Sequence, residues 1–212
     1  EYLQAVRTAC DEAGALMIVD EIQTGMARTG AWFGFEHAGV VPDVVTLAKA
    51  LGNGMPVGAC WARRDVASVF EPGDHGSSYS GTAIACAAVK ATNDEMIRLD
   101  APTLASERGA HLVVALENVP GVVGVRGRGL MLGVELADGL DAKRAYADLL
   151  EAGLIVNAVA ARTIRLLPPL TVSDAEIDEA VGMIGVALGA QREASSTRHL
   201  LDVTDFSVGE IR

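Results

Sequence analysis

Residues Asp43 to Cys60 read DVVTLAKALGNGMPVGAC. An apolar, β-branched run, Val44 to Ala48, ends at a lone lysine, Lys49, and gives way to a loop with glycines at 52, 54 and 58. A short apolar run closed by a glycine-rich segment suits a strand buried on both faces of a parallel sheet. An ammonium group at its end needs a reason, because lysines seldom enter a core unpartnered. The position is also where open parallel sheets bind ligands, beyond the carboxyl ends of the strands.

Upstream, Ala15 to Val19 (ALMIV) repeats the pattern and ends in Asp20, after a helical segment over residues 3 to 12 that stops near Gly14. Val57 to Ala62 (VGACWA) is a third run. An acid and an amine therefore stand at equivalent points of two strands. Strand placement alone leaves two readings open, a ligand crevice lined by opposite charges and a structural ion pair at the sheet edge.

Farther along, the spacing predicts helices over about 83 to 99 and 104 to 119. Beyond Gly121 the rhythm changes. VVGVRGRGLMLGVEL reads as two strands joined by a tight glycine turn, followed by a helix over 142 to 152 and short strands in LIVNAV and TIRLL. The last helix starts at SDAE, a capping box of Ser173 with Glu176, and continues as a stripe of Ile177, Val181, Ile184 and Leu188. The expected organisation is α/β: part of a sheet domain over 1–99, a smaller α+β domain over 100–192, and a separate tail over 193–212.

Half of the 212 residues are hydrophobic, enough for a proper core, and the formal net charge of −11 comes without any basic stripe. Nucleic acid and anionic membranes are thereby disfavoured as partners. Cys10, Cys60 and Cys86 show no metal-ligand spacing, and His37, His75, His111 and His199 lie far apart, so no metal site or disulfide framework is expected. The thiols suggest a reducing, cytoplasmic setting. GRGLMLG (127–133) lacks the strand-loop-helix context of a nucleotide loop and reads as a turn.

Two loops choose between the readings of Asp20 and Lys49. DEIQTGMARTG (20–30) follows the first strand and LAKALGNGMPVGA (47–59) spans the end of the second. With HGSSYSG (75–81) and IRLLPPLTVSDAEID (164–178), they resemble the class III aminotransferases that use pyridoxal 5'-phosphate, over residues 1 to about 190, and within that class the acetylornithine aminotransferase branch.

The resemblance implies the later part of a fold-type I large domain, with a mixed, mostly parallel sheet, plus a small α+β domain. It implies that Lys49 carries the cofactor and moves the substrate proton, since an amine in a partly desolvated pocket is a competent nucleophile. Asp20 would pair with the ring nitrogen, and Gln23 would bond the phenolic oxygen, with backbone contacts from Glu21 and Ile22. Ser78, assisted by Thr82, would hold the phosphate across a homodimer interface; capping the next helix is the alternative for Thr82. Thr82 and Ala83 replace the Asn-Pro pair commonest there. Ser77 would contact substrate, and Arg165 would receive its carboxylate through a guanidinium fork.

The reaction implied is transfer of an amino group between N-acetylornithine and 2-oxoglutarate, a step of arginine biosynthesis. Ornithine, 4-aminobutyrate and succinylornithine aminotransferases, semialdehyde aminomutases and a non-catalytic fragment remain alternatives. The chain starts at Glu1 without the family's earlier phosphate loop, ring-stacking aromatic residue and distal-carboxylate arginine, so it is expected to be a later half that alone binds the cofactor poorly or not at all and is inactive or nearly so. Ser196 to Arg212 resembles the opening of an ornithine carbamoyltransferase, with a polar helical tail as the alternative.

Overall fold

A computed structural model describes residues 1–204, with side chains through 194. The resemblance carried by 196–212 therefore rests on side chains outside the described residues. The chain forms two units, Glu1–Ser106 and Glu107–Arg212.

The first unit opens with α1 (Tyr2–Ala13), closed by Gly14 at φ 64°, whose N–H reaches back to the last turn. Here glycine serves the left-handed conformation that ends the helix. Three strands follow: β1 (Ile18–Asp20), β2 (Val44–Leu47) and β3 (Ala59–Ala62), in spatial order β1-β2-β3. β1 runs parallel to β2, pairing Asp20 with Thr46, and β3 runs antiparallel to β2, pairing Thr46 with Cys60. Residues opposite one another share a face. Asp20, Thr46 and Cys60 thus form one row, and Val19, Val45 and Trp61 line the other side.

Burial on both faces, expected from the apolar runs, is not what the structure has. Val45 is 3% exposed but Ile18, on the Asp20 face, is 64% exposed. Apolar composition makes a strand fit to be covered, whereas a covering layer comes from chain far away in sequence.

At the other end of β2, Asp43 anchors the unit. Its buried carboxylate accepts from Arg7 Nη1 at 2.7 Å and from the Met17 N–H at 2.6 Å, and pairs with Arg63 at 2.9 Å. One acid thereby ties α1 and the starts of β1 and β2 to the segment leaving β3. The short α2 (Arg64–Ala67) and the long α3 (Ala83–Arg98) complete the first unit, and the unit boundary falls within α4 (Ala101–Glu117).

In the second unit, β4 (Val122–Arg128), β5 (Met131–Leu136), β6 (Asn157–Ala160) and β7 (Thr163–Leu166) make an antiparallel sheet of order β4-β5-β7-β6. Along β5, Leu132, Val134 and Leu136 are buried and alternate with half-buried neighbours, the period-2 signature of a sheet with one core face. α5 (Ala142–Glu151) contributes Ala145 and Leu149 to the core, and α6 (Asp174–Thr204) contributes Ile177, Ile184 and Leu188. The capping box forms as expected, with Ser173 N donating to Glu176 Oε2 at 2.8 Å and Glu176 N to Ser173 Oγ at 3.3 Å. GRGLMLG is the β4–β5 turn, with Gly127 and Gly129 at positive φ.

Candidate functional site

Asp20 is the last residue of β1, and Lys49 lies two residues past the end of the parallel neighbour β2, so acid and amine leave the sheet at the same edge. Lys49 opens a 3-10 turn, Lys49–Leu51, at φ 42°. A non-glycine residue in the left-handed region is uncommon and persists where its surroundings over-determine it. They do so here. Leu51 N donates to the Ala48 carbonyl at 2.9 Å, Gly52 N to the Lys49 carbonyl at 3.2 Å, and the Leu51 side chain is buried. Gly52 is required by close approach, since a Cβ there would run into the Val57 side chain and the Met55 carbonyl. The Lys49 side chain is exposed rather than partly desolvated, and its ammonium has no ion pair or hydrogen bond among the described residues. It stands on the open edge of the sheet, where no layer of this unit covers it.

The Asp20 carboxylate is oriented from two sides. Ile22 N donates to Oδ1 at 2.9 Å, and Thr46 Oγ1 donates to the same oxygen at 3.3 Å. Among the described residues nothing donates to Oδ2. Gln23 and Ile22 are half-buried on the same loop.

Glu21 points the other way. It is 2% exposed, and its carboxylate accepts from Thr24 Oγ1 at 2.5 Å and from the N–H groups of Gly34 and Phe35, both at 2.9 Å. Its side chain clamps the loop, leaving only its backbone for a ligand, and that N–H already donates to the Thr46 carbonyl at 3.0 Å. Phe33 and Phe35 stack at 5.4 Å on the clamped segment and act as packing residues. Burial pushes the Arg28 guanidinium down from its ordinary value on the same loop.

Ser77 and Ser78 lie on an exposed stretch before α3. Ser77 Oγ accepts from Tyr79 N at 3.3 Å and its carbonyl from Ser80 Oγ at 3.3 Å, a local turn that leaves Ser78 outward. Thr82 occupies the N-cap of α3 without a side-chain cap bond, so its hydroxyl is not committed to capping. Among the described residues these hydroxyls make no hydrogen bond to Asp20 or Lys49.

In the second unit Arg165 sits on β7 between Gly133 of β5 and Asn157 of β6. Its Nη2 donates to Asn157 Oδ1 at 3.2 Å, while Nε is buried with no partner among the described residues. A buried guanidinium N–H without an acceptor is costly and suits a site meant for an anion.

Besides the Asp43 anchor, sequence reasoning missed two polar groupings. The Glu21 clamp has a local sign in Thr24 three residues on, the spacing of a capping pair. The other, in the second unit, joins His111 of α4 to Asp174 (Nδ1, 2.8 Å) and Asp178 (Nε2, 3.0 Å), with Arg108 also paired to Asp174. The hydrogen bond to Asp174 holds the imidazolium of His111 above the ordinary histidine range. No group of histidine, cysteine and carboxylate side chains arranged to hold a metal occurs among the described residues.

The donor set at the β1–β2 edge fits pyridoxal phosphate. A carboxylate with one open oxygen suits a protonated ring nitrogen, and an unpartnered primary amine suits an aldehyde.

Comparison with known proteins gives the same answer. The family described as class III aminotransferase matches residues 1–188. Acetylornithine aminotransferase of Methanopyrus kandleri is 46% identical over 190 residues, covering 89% of this chain and 49% of that protein. The Bacillus subtilis acetylornithine aminotransferase is 46% identical over 191 residues, covering 89% and 49%. Among solved structures, ornithine aminotransferase of Toxoplasma gondii, described with partial occupancy of PLP at its active site, superposes with a TM-score of 0.83 at 34% identity, covering 91% of this chain and 47% of that one. A transaminase from the marine bacterium Virgibacillus gives 0.86 at 28% identity, covering 91% and 49%. The chain spans about half the length of the curated relatives it matches. Motifs, sheet topology and these matches together place the chain in the class III aminotransferases, a family of pyridoxal-phosphate enzymes.

Proposed function

We propose that this chain supplies the lysine-bearing part of an aminotransferase that exchanges an amino group between N-acetylornithine and 2-oxoglutarate in arginine biosynthesis. The observation that carries the chemistry is the pair of strand ends, Asp20 and Lys49, leaving adjacent parallel strands at one edge. The substrate rests on the relatives named acetylornithine aminotransferase at 46% identity.

Pyridoxal phosphate, when bound, supplies an electron sink for the carbanion formed at the aminated carbon. Asp20 would hold the ring nitrogen protonated, Oδ2 being the oxygen without a donor among the described residues; a neutral amide would not stabilise that charge equally. Lys49 Nζ would take the proton from the aminated carbon and deliver it to the cofactor carbon, which requires a free amine on a mobile stem. Among the described residues the Lys49 ammonium has no ion partner, which leaves Nζ available for that role. Gln23 is assigned to the phenolic oxygen and Ser78 with Thr82 to the phosphate across a homodimer interface; the N–H groups of Glu21 and Ile22 are committed to the Thr46 carbonyl and to Asp20 Oδ1, so no backbone donor is assigned to the cofactor there. Ser77 is assigned to the substrate and Arg165, with its orphaned Nε, to a carboxylate.

The test is an amino-donor screen of the protein, in the form its gene encodes, with 2-oxoglutarate as acceptor. Glutamate formation from N-acetylornithine, abolished together with the visible cofactor band in Lys49→Ala, is the expected result. Preference for ornithine or 4-aminobutyrate overturns the substrate assignment, and absence of transfer from any donor overturns the activity. Persistence of the visible band in Lys49→Ala overturns the role of that lysine.

A further inference from the structure

We infer that Thr46 is a positioning residue for Asp20, selecting which carboxylate oxygen faces the cofactor; this rests on the reading of Asp20 as the partner of the ring nitrogen. Parallel pairing sets Thr46 directly opposite Asp20, on the same face of the sheet. Two contacts run from this one residue to the exit of β1. Its carbonyl accepts from Glu21 N at 3.0 Å, and its hydroxyl donates to Asp20 Oδ1 at 3.3 Å. The Ile22 N–H joins the hydroxyl on Oδ1.

Two donors on one oxygen hold the carboxylate against rotation about χ2, a broad and soft torsion in aspartate. They also draw charge to Oδ1 and leave Oδ2 as the acceptor for a cationic N–H. A backbone donor alone fixes one point, whereas adding the hydroxyl from the neighbouring strand fixes the plane. Thr46 therefore reaches the cofactor only through Asp20. The 3.3 Å separation is longer than the O–H···O optimum, so the effect is modest.

Thr46→Val keeps the shape and strand preference of the side chain and removes only the hydroxyl. Thr46→Ser keeps the hydroxyl and removes a methyl group. The experiment titrates pyridoxal phosphate into the protein in the form its gene encodes, measures its dissociation constant by absorbance, traps the lysine adduct with borohydride and maps it by mass spectrometry. The other two lysines within these 212 residues, Lys90 and Lys143, are both exposed and report background labelling. The expected result is capture at Lys49 above that background, with Thr46→Val binding roughly fivefold more weakly and Thr46→Ser within about twofold of the native protein. The urea midpoint followed by tryptophan fluorescence should stay unchanged in both variants. Equal affinity of Thr46→Val and the native protein overturns the positioning role and leaves the Asp20 reading standing. So does a loss in Thr46→Val that Thr46→Ser does not restore, or one matched by a fall in the urea midpoint. Lys49 labelling no greater than that of Lys90 and Lys143 in the native protein overturns both.

Discussion

Replacing Asp43 by alanine should destabilise the first unit by about 3–4 kcal/mol. The size follows from what the carboxylate holds. Met17 N, on a residue 2% exposed, loses its acceptor, and an unsatisfied buried donor costs about 1–3 kcal/mol. Breaking a buried ion pair by removing one partner costs about 3–5 kcal/mol when a charge is left uncompensated. Here neither arginine is stranded, since Arg7 keeps Asp11 at 2.6 Å and Arg63 keeps Asp65 at 2.8 Å. The total therefore belongs at the lower end of that range. In Asp43→Asn the amide oxygen still accepts from Met17, but an amide N–H₂ is turned toward a guanidinium, so this variant should lose roughly 2 kcal/mol.

The pH dependence has a definite sign. The hydrogen bond from Arg7, followed by that from the Met17 N–H, holds the Asp43 carboxyl below its ordinary range. A depressed folded value means the stabilisation is present above the unfolded value of about 3.9 and is lost as pH falls through the folded one. The native first unit should therefore lose this contribution below about pH 4, and Asp43→Asn should not. Both tryptophans, Trp32 and Trp61, lie in the first unit, so urea unfolding followed by their fluorescence reports that unit. With a slope of about 1–3 kcal/mol per molar, the alanine variant should shift the midpoint by more than about 1 M. A shift below about 0.3 M would refute the assignment of Asp43 as the anchor.

Two further outcomes concern the second unit. The His111 imidazole should titrate above its ordinary value of about 6.5 by NMR and fall back in Asp174→Asn. A raised folded value means this stabilisation is complete below the unfolded value and disappears as pH rises through the folded one, with Arg108 competing for Asp174 throughout. Titration at or below about 6.5 in the native protein would remove the cluster as a source of pH-dependent stability. Gly109→Ala should destabilise this unit by about 1–3 kcal/mol or more in thermal unfolding, because the new Cβ meets the backbone of Gly129. In an open helix the same change stabilises by roughly 0.5–1 kcal/mol, so the sign of the effect decides.

What could be read in advance was local. The apolar run ending at Lys49, the Ser173–Glu176 box and the glycine turn between β4 and β5 each declare themselves within a few residues, because strand period, cap spacing and turn chemistry are short-range rules. Asp43 was legible only as the residue before a strand. Its arginine Arg7 is 36 residues away, and the partners Asp174 and Asp178 of His111 are 63 and 67 away. Adjacent carboxylates were also indistinguishable by type: Asp20 ends the strand on its exposed face, while Glu21 turns inward to Gly34 and Phe35. The left-handed backbone at Met26, Ala27 and Lys49 had no sequence sign, since these residue types ordinarily avoid it.

β2 carries its charge lock and its proposed chemistry at opposite ends. Asp43 precedes the strand and Lys49 follows it, six residues on, or roughly 20 Å at the rise of an extended chain. Substitutions that far apart and without shared partners usually combine additively. Changes around Lys49 that retune reactivity should therefore leave the anchoring of the fold untouched, and a weakened anchor should lower the folded population without altering what each folded molecule does. A strand built this way lets selection, or an engineer, adjust durability and chemistry as separate variables.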